Sequence, residues 1–116
     1  MKSINIKRVY DDKHQDDGYR VFIDRLWPRG VSKNDAHFDE WLKDIAPTTE
    51  LRKWFDHDPD RFDEFRERYK KELQEHKEEL DKLRKRAKCE KITLLFAAKD
   101  TKMNNAVVVK EVIEGK

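Results

Sequence analysis

The sequence predicts an α/β fold: a single small domain over residues 1-116, with a mostly parallel sheet of about four strands flanked by helices. One long helix is expected over residues 59-87. Two apolar runs, Val21-Phe22-Ile23 and Ile92-Thr93-Leu94-Leu95-Phe96-Ala97-Ala98, are continuous rather than alternating. Strands covered on both faces read that way. Between and beyond them lie stretches with helical periodicity, long enough for parallel crossovers. A chain of 116 residues makes one domain and can bury a core without staples.

The elements follow in order. Ile4, Ile6 and Val9 open a strand over residues 3 to 9. Asp11 to Gly18 is polar and reads as a loop. Tyr19 to Leu26 is the second strand, stopped by Pro28 and Gly30. Ser32 starts a helix: Asp35 stands at capping-box spacing, and Val31 and Ala36 at staple positions. Phe38, Trp41, Leu42 and Ile45 have i, i+3, i+4, i+7 spacing, which favours helix, although the stretch ending at Pro47 is short enough for a strand. Thr48 or Thr49 caps a short helix carrying Leu51, Trp54 and Phe55.

The long helix has the clearest signals. Asp58 is its N-cap, Pro59 its first residue, and Asp60 and Asp63 suit the dipole of the first turn. Phe62, Phe65, Tyr69, Leu73, Leu80, Leu83 and Ala87 form one buried stripe, with His76 in register. Glu64/Arg68, Glu67/Lys71, Glu78/Lys82 and Asp81/Lys85 are i, i+4 pairs in the favourable orientation. A straight helix of this span would be roughly 40 Å long, so it bends, projects or is covered by a partner. Lys91 to Ala98 is the last strand. Asn104 or Asn105 caps a final helix, with Ala106, Val109, Val112 and Ile113 inward and Gly115 at its end.

Charge is dense and balanced: 27 Lys+Arg against 25 Asp+Glu, 45% of the chain and a net +2. Such mixed charge marks a soluble surface, of the kind seen on thermophile proteins, rather than a segregated nucleic-acid face. A single cysteine, Cys89, forbids an internal disulfide and points to a reducing, cytoplasmic setting. It lies among Lys88, Glu90 and Lys91, and the two lysines favour a thiolate, but it reads more simply as an incidental thiol between helix and strand. No apolar run approaches the roughly 18 residues that span a bilayer, and the N-terminus lacks a signal-peptide core. The expectation is no membrane association, and a monomer or homodimer.

In a parallel sheet the strand C-terminal ends share one edge, where sites form. That edge gathers Asp24, Arg25 and Arg29 with Lys99, Asp100, Asn104 and Asn105. Arg presents a bidentate fork to phosphate or carboxylate, and a helix N-terminus adds free N–H groups. An anionic ligand is one reading. The other is that Asp24 pairs with Arg25, Arg29 or Lys99 to close the edge. His57, between Asp56 and Asp58, is either an oriented base or the loop residue ahead of a capped helix. The histidines and Cys89 show no metal-ligand spacing, so no metal is expected. Three glycines leave no phosphate loop or nucleophile elbow, so no cofactor is expected. The basic run from Lys82 to Lys91 suits a helix C-terminus, and no aromatic interleaves with it for base stacking.

Val21-Phe22-Ile23-Asp24-Arg25-Leu26-Trp27-Pro28-Arg29-Gly30-Val31-Ser32-Lys33 resembles the YeaO-like branch of the domain-of-unknown-function 488 family. So do Asp39 to Thr48, Leu51 to Phe55, His57-Asp58-Pro59, Ala97 to Asp100 and Asn105-Ala106-Val107. The likeness spans nearly the whole chain. It implies a small parallel α/β domain with a strand within Trp41 to Pro47, which adds Thr48, Thr49 and Arg52 to the site edge. Other branches resemble a pattern of cysteines ending in Cys-His-Arg. Here Phe96 stands at the first cysteine and Asn104-Asn105-Ala106 at the Cys-His-Arg, so thiol chemistry does not carry over. The family has no established activity.

The leading expectation is a cytoplasmic domain whose sheet edge binds an anionic or phosphorylated small molecule. Arg25, Arg29, Arg52, Lys99 and Asn105 would hold it, with Asp24, Asp100 and His57 the candidate catalytic groups. The alternatives are a non-catalytic protein or nucleic-acid interaction module using the long helix and its basic end, or an enzyme on nucleotides or nucleic acid.

Overall fold

In a computed structural model, residues 4–115 are described. The predicted first strand begins one residue outside them; its described part, β1, is Ile4–Arg8. β2 is Tyr19–Phe22, β3 is Glu40–Trp41 and β4 is Ile92–Phe96. They form one four-stranded sheet, ordered β1-β4-β2-β3 and parallel at every pairing. β4 lies inside, with Ile4 opposite Ile92, Arg8 opposite Phe96 and Phe22 opposite Leu95. All five of its residues are buried, which accounts for its unbroken apolar run.

The two faces are covered differently. Ile4, Val21, Ile23, Ile92, Leu94 and Phe96 join the core cluster built by the helices α1 (Thr49–Phe55), α2 (Phe62–Leu73), α3 (Lys77–Cys89) and α4 (Asn105–Ile113). The alternate positions face the other way. There Phe22 stacks on Phe38 at 5.4 Å and leans on Trp41 at 6.4 Å. Ordinary loop, not helix, therefore shields the second face. This explains the misleading spacing of Phe38, Trp41, Leu42 and Ile45. The stretch is a two-residue strand followed by a 3-10 turn, Lys43–Ile45. Trp41 and Leu42 alternate between the two faces, as strand geometry requires.

Ser32 does cap, accepting from the Asp35 N–H at 3.2 Å, but only a 3-10 turn, Lys33–Asp35, follows. The second strand ends at Phe22 rather than Leu26, although the Ile23 N–H still reaches the Leu95 carbonyl. The loop before it contains a 3-10 turn, Gln15–Asp17, capped by His14.

The long helical stretch runs from Pro59 to Cys89, with Asp58 accepting from the Asp60 N–H at 3.0 Å. It bends rather than projects. Gln74–His76 tighten into a 3-10 turn, and His76 leaves helical geometry at φ −123°, ψ 39°. The bend keeps Phe62, Phe65, Tyr69 and Leu73 buried on one side and Leu80, Leu83 and Ala87 on the other. Of the four expected i, i+4 pairs, Glu64–Arg68 alone closes among the described residues. Asp81 instead meets Arg84 at 2.7 Å. Asn104 caps α4 by accepting from the Val107 N–H at 3.1 Å. In α4, Ala106, Val109 and Ile113 are buried and Val112 packs half-buried against the core, as expected; Val108 is buried as well. No helix among the described residues is long and apolar enough to cross a membrane.

Candidate functional site

The C-terminal edge of the sheet opens into a cleft of about 830 Å³, within the roughly 300–1,000 Å³ range of small-molecule sites. Asp24, Arg25, Arg29, Arg52, His57, Lys99, Asp100 and Asn105 all line it. Five separate segments bring these eight residues together. The turn after β2 supplies Asp24, Arg25 and Arg29. α1 supplies Arg52, and the residues just beyond it supply His57. The turn after β4 supplies Lys99 and Asp100, and the first residue of α4 is Asn105. Thr48 and Thr49 are not among the lining residues. Thr48 caps α1 and ties its N–H and hydroxyl to Glu72 at 2.9 and 2.7 Å, so it braces α1 against α2.

Asp24 does not pair with a neighbouring cation. Its Oδ1 accepts from Asn105 Nδ2 at 3.0 Å and its Oδ2 from the Ala97 N–H at 3.0 Å. Burial pushes its carboxyl above the usual range, against the opposing pull of Asn105, the Ala97 N–H, Arg52 and His57. Asp100 is exposed and closes its own turn, accepting from the Lys102 and Met103 N–H groups at 2.8 and 3.0 Å. Those two donors hold its carboxyl below the usual range.

Arg25 donates to the Pro47 and Ala46 carbonyls, both at 3.3 Å, so backbone alone fixes it. Among the described residues, neither Arg25, Arg29, Arg52 nor Lys99 closes an ion pair with a carboxylate within 4.0 Å. The reading in which ion pairs seal the edge is therefore overturned: Asp24 is satisfied by amides instead. His57 follows Asp56 in the left-handed region, at φ 55° and 48° respectively, and its ring lies 6.1 Å from that of Phe55. Backbone in that region is strained for residues other than glycine. The described residues contain no group of three or more His, Cys, Asp or Glu able to hold a metal.

Sequence reasoning missed other parts of the wall: Arg8 at the end of β1 and Tyr10 just after it, Leu26 and Trp27 in the β2 turn, and Phe55 and Phe65 behind. Arg8 donates its Nε to the Ala98 carbonyl at 2.9 Å and lies 5.1 Å from the Tyr10 ring. The signal was available for Arg8, since it closes the first strand and strand ends share this edge. A second titratable cluster, on the sheet face that carries Phe22, was also missed. Arg20 and Asp17 are buried there as an ion pair, with Lys7 3.2 Å from the same carboxylate.

Known proteins place the chain. It is 49% identical over 107 residues to the Uncharacterized protein YeaO of Escherichia coli (strain K12), covering 92% of this chain and 93% of that one. It is 40% identical over 113 residues to the Uncharacterized protein Mb3100c of Mycobacterium bovis, covering 97% and 95%. The Uncharacterized protein Rv3073c of Mycobacterium tuberculosis matches at the same identity and extent. No solved structure matches significantly. The family model described as the inactive DUF488-N3 subclade matches residues 3–116, and the chain belongs to that family, as its YeaO-like motifs led us to expect.

Proposed function

We propose that this chain is a cytoplasmic binding domain that takes an anionic, phosphorylated small molecule into the cleft at the strand ends. One observation carries the reading. Arg8, Arg25, Arg29, Arg52 and Lys99 line one cleft with two carboxylates, and each of those carboxylates is already engaged by N–H donors. Cations left without carboxylate partners in a concave site favour a ligand that brings its own negative charge. Arg8 and Arg25 are positioned by backbone carbonyls, so their remaining guanidinium donors are pre-aimed at little entropic cost.

Binding without turnover suits the family's description as inactive, and it suits Phe96 and Asn104-Asn105-Ala106 at the positions where other branches resemble a thiol site. The interaction-module alternative has less support from the long helix, whose stripe packs into the core on both sides of the Gln74–His76 turn, although Lys82, Lys85 and Lys88 at its basic end stay exposed.

The test is thermal unfolding of the wild type, Arg29→Ala and Lys99→Ala in rising inorganic phosphate, with chloride at matched ionic strength as control. At ten times the dissociation constant, linkage gives about 1.4 kcal/mol of added stability. For a domain this size that is a rise of roughly 5–10 °C. The rise should shrink sharply in both variants. Equal shifts in all three proteins would refute the reading.

A further inference from the structure

The cleft has an apolar wall that an anion alone does not use. Trp27 is 36% exposed, Tyr10 42% and Leu26 59%. Both aromatic rings are fixed. The Trp27 indole N–H donates to the Val31 carbonyl at 2.6 Å, and the ring makes a T-shaped contact with Trp41 and a tilted one with Phe38, each at 5.4 Å. The Tyr10 hydroxyl donates to the Arg29 carbonyl at 3.0 Å, and Arg8 covers its ring. A tethered aromatic left partly bare beside cations is a ready stacking platform. Its indole N–H is already spent, so Trp27 offers a ligand its π-face and no hydrogen bond. Leaving such rings exposed costs solubility unless something covers them.

We propose that the occupant is a nucleoside phosphate, its base stacked on Trp27 and its phosphate held among Arg29, Arg52 and Lys99. The proposal rests on the anion-binding reading above and adds the chemistry of the other half of the ligand. Trp27 and Arg29 stand two residues apart in one turn, which puts platform and cation on the same rim. The cations exceed the carboxylates in the cleft by three, five against two, which suits a mono- or polyphosphate. The nucleotide can be free or be the phosphorylated end of an oligonucleotide.

The test is calorimetric titration of the wild type, Trp27→Leu, Trp27→Phe and Arg29→Ala with AMP, ribose 5-phosphate, adenosine and a 5′-phosphorylated tetranucleotide. AMP should bind about tenfold tighter than ribose 5-phosphate. Trp27→Leu should remove that advantage without weakening ribose 5-phosphate, and Trp27→Phe should restore most of it. Arg29→Ala should weaken both phosphates alike. A tetranucleotide tighter than AMP assigns the site to a chain end, and one that is weaker assigns it to the free nucleotide. Equal affinity for AMP and ribose 5-phosphate, with no effect of Trp27→Leu, overturns the stacking proposal and leaves anion binding standing. No binding of any phosphate overturns both.

Discussion

Asn105 donates its side-chain N–H to Asp24 across the sheet edge, Nδ2 to Oδ1 at 3.0 Å, while the Ala97 N–H takes the other oxygen. One carboxylate thus fastens the end of β2 to the end of β4 and to the first residue of α4. It is a structural latch and a cleft wall at once: both of its oxygens accept from protein N–H groups, and the residue lines the cleft.

That latch carries a pH signature. Burial raises the Asp24 carboxyl above its ordinary value, so the folded state prefers it protonated. Below the ordinary range both states are protonated and Asp24 costs nothing. As pH rises through the ordinary value toward the raised one, the unfolded chain ionises first and the fold loses stability relative to a neutral isostere. Above the raised value the penalty is complete and flat. Asp24→Asn keeps an acceptor for Ala97, and Asn105 can turn its carbonyl to the new amide. Denaturant midpoints of the two proteins from pH 3 to pH 8 should diverge in favour of the variant as pH rises. A difference that does not change with pH would show that Asp24 titrates normally.

Asp17 has the opposite sign. Burial alone would raise its carboxyl; the His14 N–H, Lys7 and Arg20 together outweigh it and leave the group lowered. Its stabilising effect is present above the ordinary carboxylate value and is lost as pH falls through the lowered one. Asp17→Asn leaves Arg20, 1% exposed, without its counter-charge. The loss should be about 3–5 kcal/mol at neutral pH. It should narrow on acidification, since the wild type gives up the same charge there. Urea melts at neutral and acid pH read both quantities.

Local chemistry made much of this fold legible. Asp58-Pro59 marks a helix start because the cap and the fixed φ act within one turn. The run Ile92 to Phe96 marks a buried strand because each of its residues is covered. The site edge was legible because parallel strands place Asp24, Lys99 and Asp100 at one end whatever the loops do. What failed was non-local. The spacing from Phe38 to Ile45 imitates a helix because aromatic residues were needed on a face without one. The break at His76 leaves the stripe's register intact, so periodicity cannot see it. Arg20 reads as a surface cation until Asp17, ahead of it in the chain, and the His37 carbonyl close around it.

Gly18 cannot be replaced. Its φ of 65° disfavours any side chain, and a Cβ there would stand 2.2 Å from the Lys91 carbonyl oxygen. That carbonyl is not free to move, because it accepts from the Tyr19 N–H at 2.9 Å as β2 starts alongside β4. Gly18→Ala combines backbone strain with a backbone clash and should cost roughly 2–4 kcal/mol. Chemical denaturation measures it; a loss below the ordinary surface range, about 0.5 kcal/mol, would contradict the close approach.

Asp56 offers the reverse case. It ends α1 at φ 48°, ψ 36°, with its N–H on the Arg52 carbonyl, which is the helix-terminating position where glycine is favoured. Its side chain is exposed and does not line the cleft. Aspartate tolerates the left-handed region better than most residues, so the strain to be relieved is small. Glycine gives back part of that gain through the greater freedom of the unfolded chain. Asp56→Gly should still stabilise the protein, by about 0.5 kcal/mol. Asp56→Val should destabilise it by more, since a branched side chain is poorly accommodated there. Thermal melts of the pair test the assignment directly: if glycine and valine shift the midpoint in the same direction, the left-handed turn that sets His57 on the cleft wall is not the conformation this chain adopts.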